Sequence, residues 1–131
     1  MAFQWADNII YDELWLTNQP NLALGTGYVQ NDVFGFNLTV VDNTNDDLSD
    51  DIAFLYRGRQ VKAGKKTGSG ENIEPGERLY YDVADGLVTP NRPAGTAGTD
   101  YYFCGWCKRA ATAADTQVLM NFDGTRYDEA I

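Results

Sequence analysis

Histidine is absent from all 131 residues. Its absence removes the commonest general base, the commonest transition-metal ligand and the usual partner of a serine or cysteine nucleophile, so most hydrolytic triads are excluded. Bases of any kind are scarce, with ten Lys and Arg against 19 Asp and Glu for a net charge of -9. A general nucleic-acid binder needs a surplus of Lys and Arg to neutralise phosphate, and an anionic membrane makes the same demand. Neither partner is expected. There is no long apolar run, and Met1 to Phe3 pass directly to Gln4 and Asp7 without a basic segment followed by an apolar one. Neither a signal peptide nor a membrane span is therefore expected, and the chain reads as one made and kept as a soluble protein.

Cysteine is limited to Cys104 and Cys107, in the run Cys104-Gly105-Trp106-Cys107. On a strand, residues three apart point to opposite faces, with Cα atoms about 10 Å apart at about 3.3 Å per residue, beyond disulfide reach. A redox pair would sit at a helix N-terminus. Zinc asks for about four ligands, and one cysteine pair without histidine supplies half of them. The expectation is two ordinary reduced thiols on a strand, with no metal and no cofactor.

What is present describes one globular domain. Apolar residues reach 44% and aromatics 13%, too rich for a disordered chain despite 13 glycines. Eight of the 17 aromatics are tyrosine, which suits half-exposed strands and interfaces.

Residues 1–24 mix Phe3, Trp5, Ile9, Ile10, Tyr11, Leu14, Trp15 and Leu16 with Asn, Gln and Asp in no sustained period. They read as an extended N-terminal arm. Ile9 to Leu16 fit a short helix, which Pro20 and Gly25-Thr26-Gly27 would end quickly. The arm either packs on its own domain or anchors the chain to another subunit through Trp5, Ile9, Ile10, Trp15 and Leu16. Residues 25–123 form the β domain, and 124–131 read as a polar C-terminal tail.

Phe34, Phe36, Leu38 and Val40 alternate with Gly35, Asn37, Thr39 and Val41, the clearest period-2 strand in the chain. The acidic stretch Asp42 to Asp51 is a solvated loop. It is no EF-hand, because Asp47 and Ala53 stand where glycine and glutamate are needed. Ile52 to Lys62 resumes strand character. The glycine-rich excursion from Ala63 to Gly70 is no phosphate loop: five residues rather than four separate Gly58 from Gly64, and Lys66 replaces the Ser or Thr that would hold magnesium. Arg57, Arg59, Lys62, Lys65 and Lys66 nevertheless place half of the chain's bases within ten positions. Such a cluster is either a solvated loop or a contact for an acidic partner surface, with Arg57, Arg59, Lys65 and Lys66 the candidate contact residues.

Glu74-Pro75-Gly76-Glu77 has the chemistry of a type II turn. Arg78 to Val83 is a strand, and Ala84-Asp85-Gly86 carries the Asp-Gly signal of a primed hairpin returning through Leu87, Val88 and Thr89. Pro90 to Asp100 is a connecting loop. Tyr101 to Arg109 and Gln117 to Phe122 are the last strands, the latter with Val118, Met120 and Phe122 on one face, and residues 110–116 between them make a small turn or one helical turn.

The run from Ile73 through Glu-Pro-Gly-Glu-Arg-Leu-Tyr-Tyr to Asp82, then Gly86-Leu-Val-Thr89, Cys104-Gly105-Trp106-Cys107 and Asp115-Thr-Gln-Val-Leu-Met120 resembles the small all-β decoration, or cement, proteins of tailed-bacteriophage capsids. Glu77 stands where that family often has Asp, and the cysteines replace small aliphatic residues. The resemblance implies a compact antiparallel β-barrel or β-sandwich, β-tulip-like, with an extended N-terminal arm. It implies a homotrimer on the outer surface of the virion, made in the host cytoplasm, that clamps subunits of the major capsid protein. No catalysis is implied. A carbohydrate-binding or adhesion module on a virion surface, stacking sugars on Trp5, Trp15, Trp106 or tyrosines, is the alternative. A glycosidase-like use of Glu74 and Asp82 would need them about 5 to 10 Å apart in a cleft, and a hairpin turn is a poor place for one.

Overall fold

The structure, a computed structural model, describes residues 11–16, 27–37 and 52–131. It is all-β, with eight strands among the described residues: β1 (Tyr11–Leu16), β2 (Gly27–Gln30), β3 (Val33–Asn37), β4 (Ile52–Gly64), β5 (Arg78–Asp82), β6 (Leu87–Thr89), β7 (Tyr101–Cys107) and β8 (Gln117–Asp123). A single 3-10 turn, Gly124–Arg126, follows β8. The strands form one antiparallel sheet in the order β2-β3-β4-β8-β7-β5-β6, with β1 also paired to β4. Trp5, Ile9, Ile10, the acidic stretch 42–51, and Leu38 and Val40 of the alternating run lie outside the described residues.

β4 organises the sheet because it is long enough to serve three partners. Leu55 is paired on one side by Glu13 of β1 and on the other by Phe36 of β3, while Gly58 is paired by Tyr11 and by Phe122 of β8. β3 and β8 therefore share one edge of β4 end to end, and β1 takes the other. The short helix considered for Ile9 to Leu16 is not formed: residues 11–16 are strand, and the register shift between Asp12 and Glu13 leaves Tyr56 of β4 as the extra residue.

The sheet curls into a half-barrel. At its far end Lys65 bridges Val88, and the Lys66 amide donates to the Val88 carbonyl at 2.8 Å, so β6 returns to the end of β4. Inside lie Phe34, Leu55, Val61, Leu79, Val88, Val118, Met120 and Phe122. Phe34 is fully buried, with ring centroids of Tyr81, Tyr102 and Phe122 at 4.9, 4.8 and 5.6 Å. The hairpin that delivers it turns on Asn31 and Asp32, whose φ values of 52° and 65° are those of a type I′ loop.

The Glu74–Glu77 turn forms as its chemistry dictates, with Gly76 at φ 88° and the Glu77 amide on the Glu74 carbonyl. The next turn differs from the primed two-residue hairpin expected. Asp82 pairs directly with Leu87, which leaves a four-residue loop in which Gly86, and not Asp85, takes positive φ. Residues 110–116 form a turn without a helix. Residues 124–131 pack rather than trail: the Phe103 amide donates to the Tyr127 carbonyl, the Tyr80 hydroxyl donates to the Ile131 carbonyl at 2.6 Å, and Ile131 covers the aromatic cluster of Tyr80, Tyr101 and Phe103.

Candidate functional site

Both cysteines are free and lie in β7, as the strand reading requires. Their faces are not opposite, however. Leu79 pairs with Gly105 and Tyr80 with Phe103, so Cys104 is the extra residue of a β-bulge. Gly105 at φ 138° completes it, and a Cβ there would overlap the Asn121 carbonyl oxygen. The bulge resets the alternation, and Cys104 and Cys107 both face the main core. Burial pushes both thiols above their ordinary pKa, and the thiols donate to the Leu79 and Arg109 carbonyls. These are packing groups, not nucleophiles.

The linear cluster of bases is split by the fold. Lys65 is buried, and its ammonium donates to three carbonyls, those of Lys66, Thr112 and Asp115, at 2.7, 3.0 and 3.0 Å. It ties the end of β4 to the 112–116 turn and has no face left for a partner. Lys66 turns to the β5–β6 hairpin, 2.6 Å from Asp82 and 3.0 Å from Asp85. The hydrogen bond from Lys66 holds the Asp82 carboxyl below the usual carboxylate range, and the same bond raises Lys66. Arg57 and Arg59, by contrast, are exposed on β4.

The register shows what joins them. Val118, Met120 and Phe122 of β8 point inward, so Leu119, Asn121 and Asp123 point out. Across the outer surface, Arg57 stands opposite Asp123, and Arg59 and Gln60 together oppose Asn121 at a bulge. Asn121 is paired to Trp106 and Trp106 to Arg78. Lys62 is paired to Leu119, whose carbonyl accepts from the Lys108 amide at 2.9 Å. Arg59, Lys62, Arg78, Lys108 and Arg109 are all exposed, and among the described residues none of them forms an ion pair. Lys62 and Arg109 also line a groove of about 220 Å³ beside Asp115, Gln117 and Leu119.

Half-buried Trp106 and Leu119 lie at the centre of this basic face. Trp106 is no bare platform: the Arg126 guanidinium lies 5.9 Å from its ring centroid and 5.6 Å from that of Phe103. Arg126 is itself held by Glu129 at 2.9 Å. Among the residues whose side chains the structure describes, Val83 is the only large apolar one exposed, and it lies on the β5–β6 loop, so the outer face of β4, β8 and β7 is charged rather than openly apolar.

Of the candidate contact residues, then, Arg57 and Arg59 sit on the basic face, and Lys65 and Lys66 are absorbed into the fold. Trp15 and Leu16 sit on β1, paired to Ala53 and Ile52, while Trp5, Ile9 and Ile10 are outside the described residues. Sequence reasoning missed Arg78, Lys108 and Arg109, which reach the face only through strand register. The isolated pair Lys108-Arg109 directly after a strand was the available signal. Compared with family models, with curated proteins and with solved structures, the chain matches none.

Proposed function

We propose that this chain is a structural decoration protein of a tailed-bacteriophage capsid, a non-enzymatic binding module. It sits on the outer surface of the head and stabilises contacts between subunits of the major capsid protein, as a homotrimer. The basic outer face of β4, β8 and β7 is the observation that carries this reading, because it is a surface built for an acidic protein partner on a chain whose net charge is -9. Electrostatic complementarity of that kind steers encounter and fixes register between macromolecules. The residues that carry the resemblance to cement proteins support it further, since they fall in order on the Glu74–Glu77 turn, β5, β6, β7 and β8.

The docking contact would be charge-led at Arg57, Arg59, Lys62 and Lys108, with apolar anchorage from Trp106, Leu119 and the N-terminal residues Trp5, Ile9, Ile10, Trp15 and Leu16. The test is a pair of binding assays on the full chain. Co-sedimentation with expanded heads of the phage that encodes it, together with no signal on a glycan array, is the expected result. Glycan binding without head binding would replace this reading by the adhesion-module alternative.

A further inference from the structure

β8 loses one neighbour part-way along its length. Its pairing with β7 ends where Cys107 stands opposite Met120, the Lys108 amide donates once more to the Leu119 carbonyl, and the chain then departs to exchange two hydrogen bonds between Ala111 and Ile73. β4 stays on the other flank of β8 as far as Gly64, opposite Gln117. The groove of about 220 Å³ lies where β7 has left β8, with buried Ala111 and Val118 in its lining. Lys62 reaches it from β4, and Arg109 from the departing chain.

The groove is preformed. Its 111–116 segment is held by the Lys65 ammonium on the Thr112 and Asp115 carbonyls, by the Lys65 amide on the Thr116 carbonyl at 3.0 Å, and by Asn72, whose side-chain oxygen accepts from the Ala113 amide at 2.8 Å. The Cys107 thiol donates to the Arg109 carbonyl at 2.9 Å. The backbone is therefore fixed, while the side chains of Lys62 and Arg109 are exposed and form no ion pair among the described residues. Asp115, the one carboxylate in the lining, is occupied by its own turn and accepts from the Thr112 amide at 2.8 Å.

We infer that this groove is a carboxylate pocket, which seats an Asp or Glu side chain from an acidic segment of the protein partner that the basic face meets. A guanidinium matches a carboxylate two hydrogen bonds at a time, which makes Arg109 the specificity-determining residue, and Lys62 adds a point charge from the opposite flank. Ala111, Val118 and half-buried Leu119 cover the methylenes of the incoming side chain. A fixed wall lowers the ordering cost of such a contact. The volume suits one side chain, and a net charge of -9 repels the long polyanions that a basic patch would otherwise attract. That the partner is the coat protein rests on the decoration-protein reading; the chemistry of the pocket does not.

The experiment titrates the isotope-labelled full chain with a capped oligo-aspartate peptide at about 50 mM salt, read by amide NMR shifts, beside an oligo-asparagine peptide and a DNA oligonucleotide. Oligo-aspartate should move the amides of Lys62, Arg109 and Leu119, and oligo-asparagine should move none. Arg109→Gln should weaken binding about tenfold or more, and Arg109→Lys should recover only part of the loss. Arg92→Gln removes the same charge from an exposed position outside the groove lining and should change affinity less than about twofold. Asp115→Asn keeps an acceptor for the Thr112 amide, removes the like charge and should tighten binding about threefold. Failure of oligo-aspartate to bind, equal losses in Arg109→Gln and Arg92→Gln, or an oligonucleotide that binds more tightly through Arg109 would each overturn the inference. Wild type and Asp115→Asn decide it even if an Arg109 variant does not fold. Head binding separates the two levels: a chain that co-sediments with heads equally well as wild type and as folded Arg109→Gln sinks the pocket alone. A chain that binds oligo-aspartate through Arg109 and ignores heads keeps the pocket and sinks the capsid reading.

Discussion

At φ 138°, and with the Asn121 carbonyl where a Cβ would stand, position 105 accepts only glycine. Gly105→Ala combines left-handed strain with backbone overlap inside a sheet, and the expected loss is about 3 kcal/mol or more. Gly76→Ala provides the contrast, since its φ is 88° but nothing lies within 4 Å of the added methyl, and about 1 kcal/mol is expected. Urea titration of the two variants should separate them clearly; equal midpoints would remove the bulge from the account. Lys66 and Asp82 set a second test. The carboxyl of Asp82 is depressed by its bond to Lys66, so its contribution is present above the unfolded carboxylate value of about 3.9 and is lost as pH falls through the folded value. The raised Lys66 contributes below the unfolded lysine value of about 10.4 and loses that contribution only as pH rises through its folded value. Asp82→Asn should therefore cost about 1 kcal/mol at pH 7, and the gap to wild type should close well below pH 4. Thermal melts across pH 2 to about 7 measure it, and a gap independent of pH would contradict the pairing.

The elements differ in how openly the sequence declares them. β5, β6 and β8 are legible because each has a turn signal or an unbroken alternation, such as Val118, Met120 and Phe122, and β7 because its run is rich in aromatics despite the bulge. β2 is not, because four residues are too few to show a period and its turn is Asn31-Asp32 rather than Asn-Gly. β1 was hidden because Tyr11-Asp-Glu-Leu-Trp-Leu16 shows no period-2 pattern, and the common orientation of the two cysteines by a bulge that no spacing rule announces. The basic face was half legible: Arg57, Arg59 and Lys62 are neighbours in sequence, whereas Lys108 and Arg78 arrive by register from strands 46 and 21 positions away from Lys62 and Arg57. Lys65 misled because a lysine in a glycine-rich stretch is normally solvated, and here three carbonyls replace the water. The Asn31-Asp32 turn yields an opposite kind of test. Asp32→Gly places at φ 65° the residue that suits it best, and stability should rise by about 0.5 kcal/mol, less whatever the added freedom of the unfolded chain removes. A fall in melting temperature would argue against the type I′ loop.

On the scale of the molecule, a neutral segment 52–131 and an acidic segment 1–51 share one chain, and the former presents six of its ten bases, Arg57, Arg59, Lys62, Arg78, Lys108 and Arg109, on one outer surface. The N-terminal anchors make a separable claim. Because β1 pairs with β4, deletion of residues 1–24 would strip an edge of the sheet, so the informative truncation removes residues 1–10. That variant should keep its circular dichroism spectrum and lose most of its binding to heads, as removal of anchors such as Trp5, worth about 2 kcal/mol or more at an interface, would cause. Unchanged binding would transfer the grip wholly to the β domain. The most direct measurement for the proposed capsid role is cryo-electron microscopy of mature tailed-phage heads from the same source as the chain, saturated with the purified protein. The account predicts density for an all-β domain on the outer surface at contacts between coat subunits, with the face of Arg59, Lys62 and Lys108 turned against protein rather than solvent. Heads that remain bare at saturation, or density with that face fully open to solvent, would contradict it.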